Sequence, residues 1–299
     1  MDWDGADTGY EVTTPNGYVI GYEPEPRRRY LIDSEEVDGS ITEILRCLDK
    51  PALTWWGMNV GIAASLELYR RGLHPEMLLA GKPDEMEMLE WAKLISKGPV
   101  TEYKLTTNHV RNVASTRGQT VHRAFEFWAT TGGSMPNPMD YPEAEQGYVI
   151  ALIAFLKDVG SLTPEGVELA VGSKVHSFAG RFDLRGATAK EHRVVTKVYP
   201  KAKPKTITIP SGIYLWDLKT AVDVFPEHCL QLAGYELASI ESGYPETDGQ
   251  LVIQLGADGR YQCRRSRSET FDFLAVKGCW EALQRAEDGM KIAYHKAKA

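Results

Sequence analysis

The segment Ile213-Tyr214-Leu215-Trp216-Asp217-Leu218-Lys219-Thr220 joins an apolar strand pattern to two opposite charges near its end. Gly212 precedes it, as expected at the start of a buried strand. Side chains alternate along a strand, so Asp217 and Lys219 are predicted to point to the same face. Burying both charges is costly unless they pair or serve a function, and an isolated Asp-x-Lys pattern is usually a structural ion pair.

Two further acids interrupt apolar strand patterns upstream of this segment. Glu168 lies inside the run 167–171, and Asp183 follows Gly180, a residue that permits a bend or a close backbone approach. Carboxylates brought together on neighbouring strands repel one another and take up protons unless a divalent cation neutralises them. We therefore expect a metal site at these acids, and Mg²⁺ or Mn²⁺ suits oxygen ligands.

Such a site predicts a hydrolytic reaction. A bound metal lowers the pKa of a water molecule and offsets negative charge on a phosphoryl oxygen, and Lys219 beside it would orient that water or stabilise the transition state. Hydrolysis of a phosphodiester fits Glu168, Asp183, Asp217 and Lys219 together. The sequence has neither a Ser-His-Asp arrangement nor a glycine-rich phosphate loop that would favour other chemistry.

Within the segment 117–128, a turn is predicted at Gly118 and a helix is predicted to begin at Thr120, its cap. Val121, Phe125 and Trp128 share one apolar face, and His122 lies on an adjacent face. His122 alone fits either a hydrogen-bonded packing histidine or a metal ligand, and its spacing does not choose between them.

Amphipathic patterns predict the remaining elements. Helices are expected over 40–45, capped by Ser40, and over 53–71, 84–97, 144–159, 228–242 and 271–295. The last of these has Phe273, Val276, Trp280 and Leu283 on its core face. Hairpins are expected at 18–32 and 251–264. We therefore predict an α/β fold with a mixed central sheet of roughly five strands flanked by helices.

Residues 187–212 form a basic segment in an otherwise acidic chain. The protein has 299 residues and a formal net charge of -7, so a nucleic-acid partner would need a local basic surface of this kind. The cations of the segment are Lys190, Arg193, Lys197, Lys201, Lys203 and Lys205. A β-hairpin arm is predicted here, and two interpretations stay open: a solvated insertion, or an arm that touches a nucleic-acid backbone.

The four cysteines, Cys47, Cys229, Cys263 and Cys279, are scattered and fit reduced thiols in a cytoplasmic protein better than disulfides. No apolar run is long enough to span a bilayer, and no secretory leader pattern is present, so no membrane partner is expected.

The ordered series His122, Glu168, Gly180-Arg181-Phe182-Asp183, Asp217-Leu218-Lys219 and Gln231-x-x-x-Tyr235 resembles the PD-(D/E)XK nuclease superfamily. It is most similar to the RecB-type branch, which includes many phage exonucleases, and Ser40-Ile41-Thr42-Glu43-Ile44-Leu45 is also similar to a segment of several members. The resemblance covers about residues 40–255. It implies a restriction-endonuclease-like core over 116–299 with the basic insertion at 187–212, preceded by a hairpin and helical portion over 1–115.

The resemblance also implies residue roles. The expected metal ligands are His122, Asp183, Asp217 and the backbone carbonyl of Leu218. Lys219 would be the catalytic lysine, and Glu168 would reach the metal through water. Gln231 and Tyr235, with Arg181 as a neighbour, would lie near the nucleic acid, where Lys197, Lys201 and Lys203 of the basic segment would also bind. Some members hold an iron–sulfur cluster, but the cysteines here are too widely spaced for one.

The expected function is that of a Mg²⁺- or Mn²⁺-dependent deoxyribonuclease. The resemblance implies an exonuclease of DNA recombination or repair that is encoded by a phage and acts in the host cytoplasm. DNA would be its partner, a single-strand annealing protein another by family analogy, and oligomers stay open. The alternatives are a catalytically silent DNA-binding or assembly protein on the same fold, and an unrelated α/β protein whose Asp-x-Lys is structural.

Overall fold

The protein combines strands and helices throughout the described residues 9–24, 28–48, 51–73, 102–196, 205–221 and 223–298 of this computed structural model. The strands are β1 (Tyr10–Thr13), β2 (Val19–Glu23), β3 (Arg29–Ile32), β4 (Glu35–Glu36), β5 (Gly39–Ser40), β6 (Leu162–Ser173), β7 (Phe178–Thr188), β8 (His192–Thr196), β9 (Lys205–Ile209), β10 (Gly212–Lys219), β11 (Gly249–Leu255) and β12 (Tyr261–Arg265). The helices are α1 (Ile41–Ile44), α2 (Pro51–Arg70), α3 (Thr107–Thr130), α4 (Glu143–Val159), α5 (Pro226–Glu241) and α6 (Thr270–Lys298), with 3-10 turns at Leu45–Cys47 and Pro138–Asp140.

The central sheet has mixed strand directions, as predicted. Strand β10, the apolar segment with Asp217 and Lys219, pairs antiparallel with β7 and parallel with β11. Strand β12 continues the sheet antiparallel to β11, and β6 pairs antiparallel along the other edge of β7. The short β5 pairs parallel with the first residues of β7. Strands β7 and β10 each bury apolar residues on both faces, because helices cover the sheet on each side.

Two hydrophobic clusters form the two faces. Three alternate residues of β10 pack with α3 and α4: Tyr214, Trp216 and Leu218. The Phe155 ring of α4 is tilted against Trp216, with 5.7 Å between ring centroids. The intervening Leu215 packs with α1, α5 and α6 on the opposite face. The period of two along the strand therefore separates the clusters and confirms an α/β fold with helices on both sides.

The first strands form a separate antiparallel sheet. The hairpin predicted at 18–32 is confirmed as β2 and β3, which continue into β1 and β4 in the order β1-β2-β3-β4. Ile20 and Ile32 are fully buried against Ala170 of β6. Gly172 of β6 permits this contact, since a Cβ there would lie 2.7 Å from Ile32 Cδ1.

The chain divides into two compact units, Met1–Leu48 with Thr120–Ala299, and Asp49–Gln119. This division differs from the predicted boundary at residue 115, which placed the first 48 residues with the helical portion. The reason is tertiary: β5 hydrogen-bonds to β7, and Ile41 and Ile44 of α1 are buried in the cluster beneath α5 and α6. Ser40 caps α1 as predicted, its Oγ accepting from Glu43 N at 3.2 Å.

Two sequence predictions about helices are wrong. Helix α3 begins at Thr107 and not at Thr120, so Gly118 lies inside it; the surrounding helical residues outweigh the cost of about 1 kcal/mol for one glycine. Leu283 is 51% exposed because α6 makes its last buried contact at Trp280. The helix predicted at 84–97 lies outside the described residues. In the portion of the chain described, no helix is both long and apolar enough to cross a membrane.

Candidate metal centre

Three carboxylates form a row across neighbouring strands of the central sheet. Val167 pairs with Leu184 and Leu169 pairs with Phe182, so the register of β6 and β7 places Glu168 opposite Asp183. Trp216 of β10 pairs with Leu184 of β7, so Asp217 follows beside Asp183. The row therefore runs through β6, β7 and β10, one acid on each strand. The three predicted acids are therefore neighbours in strand register.

His122 of α3 faces the row from its β6 end. Its Nδ1 lies 2.8 Å from Glu168 Oε1 and 3.5 Å from Asp183 Oδ1. Ligand-capable atoms of the three residues all lie within 4.8 Å of one another. Burial would lower the pKa of His122, but the Asp183 and Glu168 charges outweigh it and raise that pKa to about 9. The two carboxylates thus favour the charged form of the His122 imidazole.

Asp217 and Lys219 face each other, which confirms the prediction that they share a side of β10. Lys219 Nζ donates to Asp217 Oδ1 at 2.6 Å. Burial raises the pKa of Asp217, and the charge of Asp183 adds to the rise while Lys219 opposes it. Asp217 is 1% exposed, and its Oδ2 has no hydrogen-bond partner among the described residues. An unsatisfied buried carboxylate oxygen is costly, and a hard cation would satisfy it.

Asp183, between these two groups, is held by the backbone. Its Oδ2 accepts from Leu218 N at 2.6 Å. In an extended strand the N–H and C=O of one residue point to the same edge, so the Leu218 carbonyl, predicted as a ligand, also lies on the edge next to β7. Burial raises the pKa of Asp183, against the lowering effect of His122 and Lys219. Asp183, Asp217 and Lys219 therefore place three ionisable groups close together where little water reaches them.

Glu168 reaches the row through an unusual backbone conformation. Its φ is +47°, a left-handed value uncommon for a residue with a Cβ. Val167 and Leu169 on either side pack in opposite core clusters, although residues two apart on a regular strand share a face. Both carboxylate oxygens are bound, Oε1 by His122 and Oε2 by Arg181 Nε at 3.0 Å.

The α5 helix covers the row from the other side with the predicted pair Gln231 and Tyr235. Gln231 Nε2 donates to Tyr235 Oη at 2.8 Å. Tyr235 is 5% exposed; burial raises its pKa, and the nearby charges of Asp183 and Asp217 raise it further. Gly180 leaves the room for this ring, because a Cβ there would lie 2.8 Å from Tyr235 Cε1. The close approach expected at Gly180 is confirmed.

The other predicted nucleic-acid contacts are Arg181, on the rim of this centre, and three lysines outside the described residues. Arg181 is partly exposed, pairs with Glu168 and lies 5.8 Å from the centroid of the Tyr10 ring. Lys197, Lys201 and Lys203 fall outside the described residues. The hairpin that carries them is confirmed as β8 and β9, paired from His192–Ile209 to Thr196–Lys205. Val194 and Ile209 belong to the main core cluster, so the base of this arm is part of the packed fold.

One residue near the row was missed by sequence reasoning. His228, in the first turn of α5, acts on Asp217 through its charge, which favours the ionised carboxylate. It lies three residues before Gln231 and seven before Tyr235, a spacing that places all three on one helix face. That spacing is present in the sequence and was the available signal.

Comparison with known proteins adds no assignment. No family model matches the chain, and a search of curated proteins finds no match. The resemblance to PD-(D/E)XK nucleases therefore stays a prediction based on the ordered motif residues, of which Glu168, Asp183 and Asp217 form one row on the sheet.

Proposed function

We propose that the protein is a Mg²⁺- or Mn²⁺-dependent nuclease that hydrolyses phosphodiester bonds in DNA. The observation that carries the proposal is the row of carboxylates on three adjacent strands, closed by His122 at one end and by Lys219 at the other. Structural ion pairs rarely need this many acids in one buried place, because each added carboxylate raises the cost of ionising the others.

The residues present fit a divalent cation. Asp183, Asp217, His122 and the Leu218 carbonyl would hold it, and the unpartnered Asp217 Oδ2 is an oxygen that such an ion would satisfy. The ion, when bound, supplies Lewis acidity toward a phosphoryl oxygen and lowers the pKa of a water molecule. Glu168 holds the His122 ring through Nδ1, as carboxylates commonly do for ligating histidines.

Lys219 acts in this proposal as a cation and hydrogen-bond donor. Burial would lower its pKa, but Asp217 and Asp183 outweigh burial and raise it, so the ammonium stays protonated at neutral pH. A protonated lysine cannot accept a proton from the attacking water. It is suited to donating to a phosphate oxygen on which charge grows during P–O cleavage.

We further propose a phage-encoded exonuclease of DNA recombination or repair that works in a host cytoplasm beside a single-strand annealing protein. This proposal is supported by the ordered motif residues, which resemble those of PD-(D/E)XK nucleases, and by the basic hairpin. A second candidate is a catalytically silent DNA-binding or assembly protein. The observation favouring it is that both oxygens of Glu168 are already bound by His122 and Arg181, so part of the acid row is neutralised without metal.

Cleavage of labelled linear and closed circular DNA, with Mg²⁺, Mn²⁺ or chelator, tests the proposal. Loss of linear DNA alone indicates an exonuclease, and loss of both forms an endonuclease. Lys219→Ala and Asp217→Asn should each lower the rate by about 10²–10³-fold or more. Lys174→Ala is the matched control, since Lys174 pairs with Asp33 on the surface. DNA binding without cleavage, and without a rise in melting temperature in Mn²⁺, would establish the silent alternative.

A further inference from the structure

Gln254 of β11 lies beside Lys219 at the end of the central sheet. The parallel register of β10 and β11 pairs Lys219 with Gln254 and Asp217 with Val252. Side chains of paired residues on neighbouring strands point to the same face, and residues two apart on one strand share that face. The carboxamide of Gln254 therefore extends from the same face of the sheet as the Asp217–Lys219 ion pair, next to the lysine.

The Gln254 side chain is 7% exposed and has a fixed orientation. Its Nε2 donates to the backbone carbonyl of Ala221, two residues beyond Lys219, at 2.8 Å. The reversed amide would turn its oxygen toward this carbonyl oxygen, so the hydrogen bond assigns the nitrogen and oxygen positions. Gln254 Oε1 is buried and has no hydrogen-bond partner in the part of the chain that the structure describes. An unpaired buried acceptor is costly, so a donor close by would stabilise it.

Lys219 has the donors that this oxygen lacks. An ammonium carries three N–H groups, and within the described ranges that of Lys219 makes one hydrogen bond, to Asp217 Oδ1 at 2.6 Å. The Lys219 side chain is 20% exposed, so water reaches it only in part. A donor with unused hydrogens and an acceptor without a partner thus lie at adjacent register positions on one face of the sheet.

We propose that Gln254 is a positioning residue whose Oε1 accepts a hydrogen bond from the Lys219 ammonium when Asp217 serves as a metal ligand. The inference rests on the proposed nuclease function and deepens it. A carboxylate that shares its charge with a divalent cation is a weaker acceptor for an ammonium, and the two cations repel each other. A carboxamide oxygen beside Lys219 holds the ammonium without cancelling its charge, which stays available to a phosphate oxygen of the substrate.

Three variants separate this contact from the hydrogen bond to Ala221. Gln254→Glu and Gln254→Met both lose the Nε2 donor, and only the glutamate keeps an oxygen at the Oε1 position. Gln250→Met, four residues earlier on the same face of β11, is the matched control, because Gln250 Oε1 also lacks a partner among the described residues. Each protein is treated with an amine-acylating reagent in Mg²⁺ and in chelator, and the labelling of Lys219 is mapped by mass spectrometry. Lys174 in the same digest is the internal reference.

In Mg²⁺ we expect Lys219 to be acylated about tenfold faster in Gln254→Met than in the wild type, because the ammonium has lost its second acceptor. Gln254→Glu and Gln250→Met should be labelled at Lys219 as the wild type is. With DNA and Mn²⁺, kcat should fall about tenfold in Gln254→Met at unchanged KM, and Gln254→Glu should restore most of it. A role limited to holding Ala221 would affect both Gln254 variants alike.

Labelling of Lys219 in Gln254→Met at the wild-type rate would overturn the inference, and so would equally fast labelling in both Gln254 variants. A wild type that does not cleave DNA but shows the expected labelling pattern refutes hydrolysis and leaves the Gln254 contact standing. The melting temperature of each protein is measured with and without Mg²⁺. A wild type whose melting temperature Mg²⁺ does not raise refutes the metal centre and this inference together.

Discussion

Glu168 shows at the level of one residue how the candidate site departs from ordinary strand geometry. A left-handed φ at a residue with a Cβ costs on the order of 1–3 kcal/mol. The contacts to His122 and Arg181 offset this cost, and they require the turned backbone because Val167 and Leu169 must still reach opposite core clusters. Strain of this kind commonly marks functional positions, which is consistent with the proposed metal centre.

A pair of substitutions at Glu168 tests the strain separately from the contacts. Glu168→Gly and Glu168→Ala both lose the carboxylate, so they differ only at the backbone. Glycine in a strand is normally less stable than alanine, but at this φ we expect Glu168→Gly to be more stable by about 1 kcal/mol. Urea unfolding followed by tryptophan fluorescence measures the difference. A Glu168→Ala protein as stable as or more stable than Glu168→Gly would show that the backbone is relaxed.

At the scale of elements, the fit between β7 and α5 sets the position of Tyr235. Gly180→Ala would bring a Cβ within 2.8 Å of Tyr235 and 2.9 Å of Ile41 Cδ1. We expect a loss of about 1–3 kcal/mol of stability from overpacking. The matched change Gly278→Ala lies on α6 with open space around it and should stabilise by about 0.5–1 kcal/mol. Thermal melts of both variants check the prediction, and equal effects would contradict the close approach.

A buried histidine links the β8–β9 hairpin to the core. Its burial predicts that the free energy of unfolding depends on pH. His192 is buried, and its Nε2 lies 2.8 Å from Ser161 Oγ. Burial lowers the pKa of His192, and Lys190 lowers it further. The folded state therefore favours the neutral ring, so its contribution to stability is complete above the unfolded pKa of about 6.5 and is lost as pH falls toward the lower folded pKa.

The measurement is urea unfolding at pH 7.5 and pH 5.0 for the wild type and His192→Asn. The variant has no imidazole to charge, so its free energy of unfolding should fall less between the two pH values than that of the wild type. The comparison within each protein cancels the acid sensitivity of other groups. Equal losses in both proteins would mean that His192 titrates as it does in the unfolded chain.

At the scale of the whole molecule, the first 48 residues belong to the unit that contains the central sheet. Ile44 of α1 is fully buried against α5 and α6, whereas Ile62 of α2 is 56% exposed. Ile44→Ala should lower the free energy of unfolding by about 2–5 kcal/mol, and the matched Ile62→Ala by less than about 0.5 kcal/mol. Denaturant unfolding measures the free energy of unfolding of both variants. An Ile44→Ala protein as stable as the wild type would show that the N-terminal segment does not contribute to the core.

Local sequence patterns predicted helices and strands well where a single hydrophobic period, of a strand or of a helix, dominates the segment. The strand alternation of 213–219 placed Asp217 and Lys219 on one side, and Ser40 capped α1, because each feature depends on neighbours a few residues away. The start of α3 and the exposure of Leu283 were predicted wrongly. The start of α3 depends on whether flanking residues outweigh one glycine, and the exposure of Leu283 depends on how far the packing of α6 against α5 and α1 extends.

The sequence by itself determined the α/β class, the acids that interrupt apolar strands and the shared face of Asp217 and Lys219, since side-chain periodicity acts over a few residues. Only the tertiary structure decided that Glu168 holds His122 and Arg181 and that the N-terminal segment joins the main core. These depend on strand register and helix placement between residues far apart in the chain, which no local period encodes.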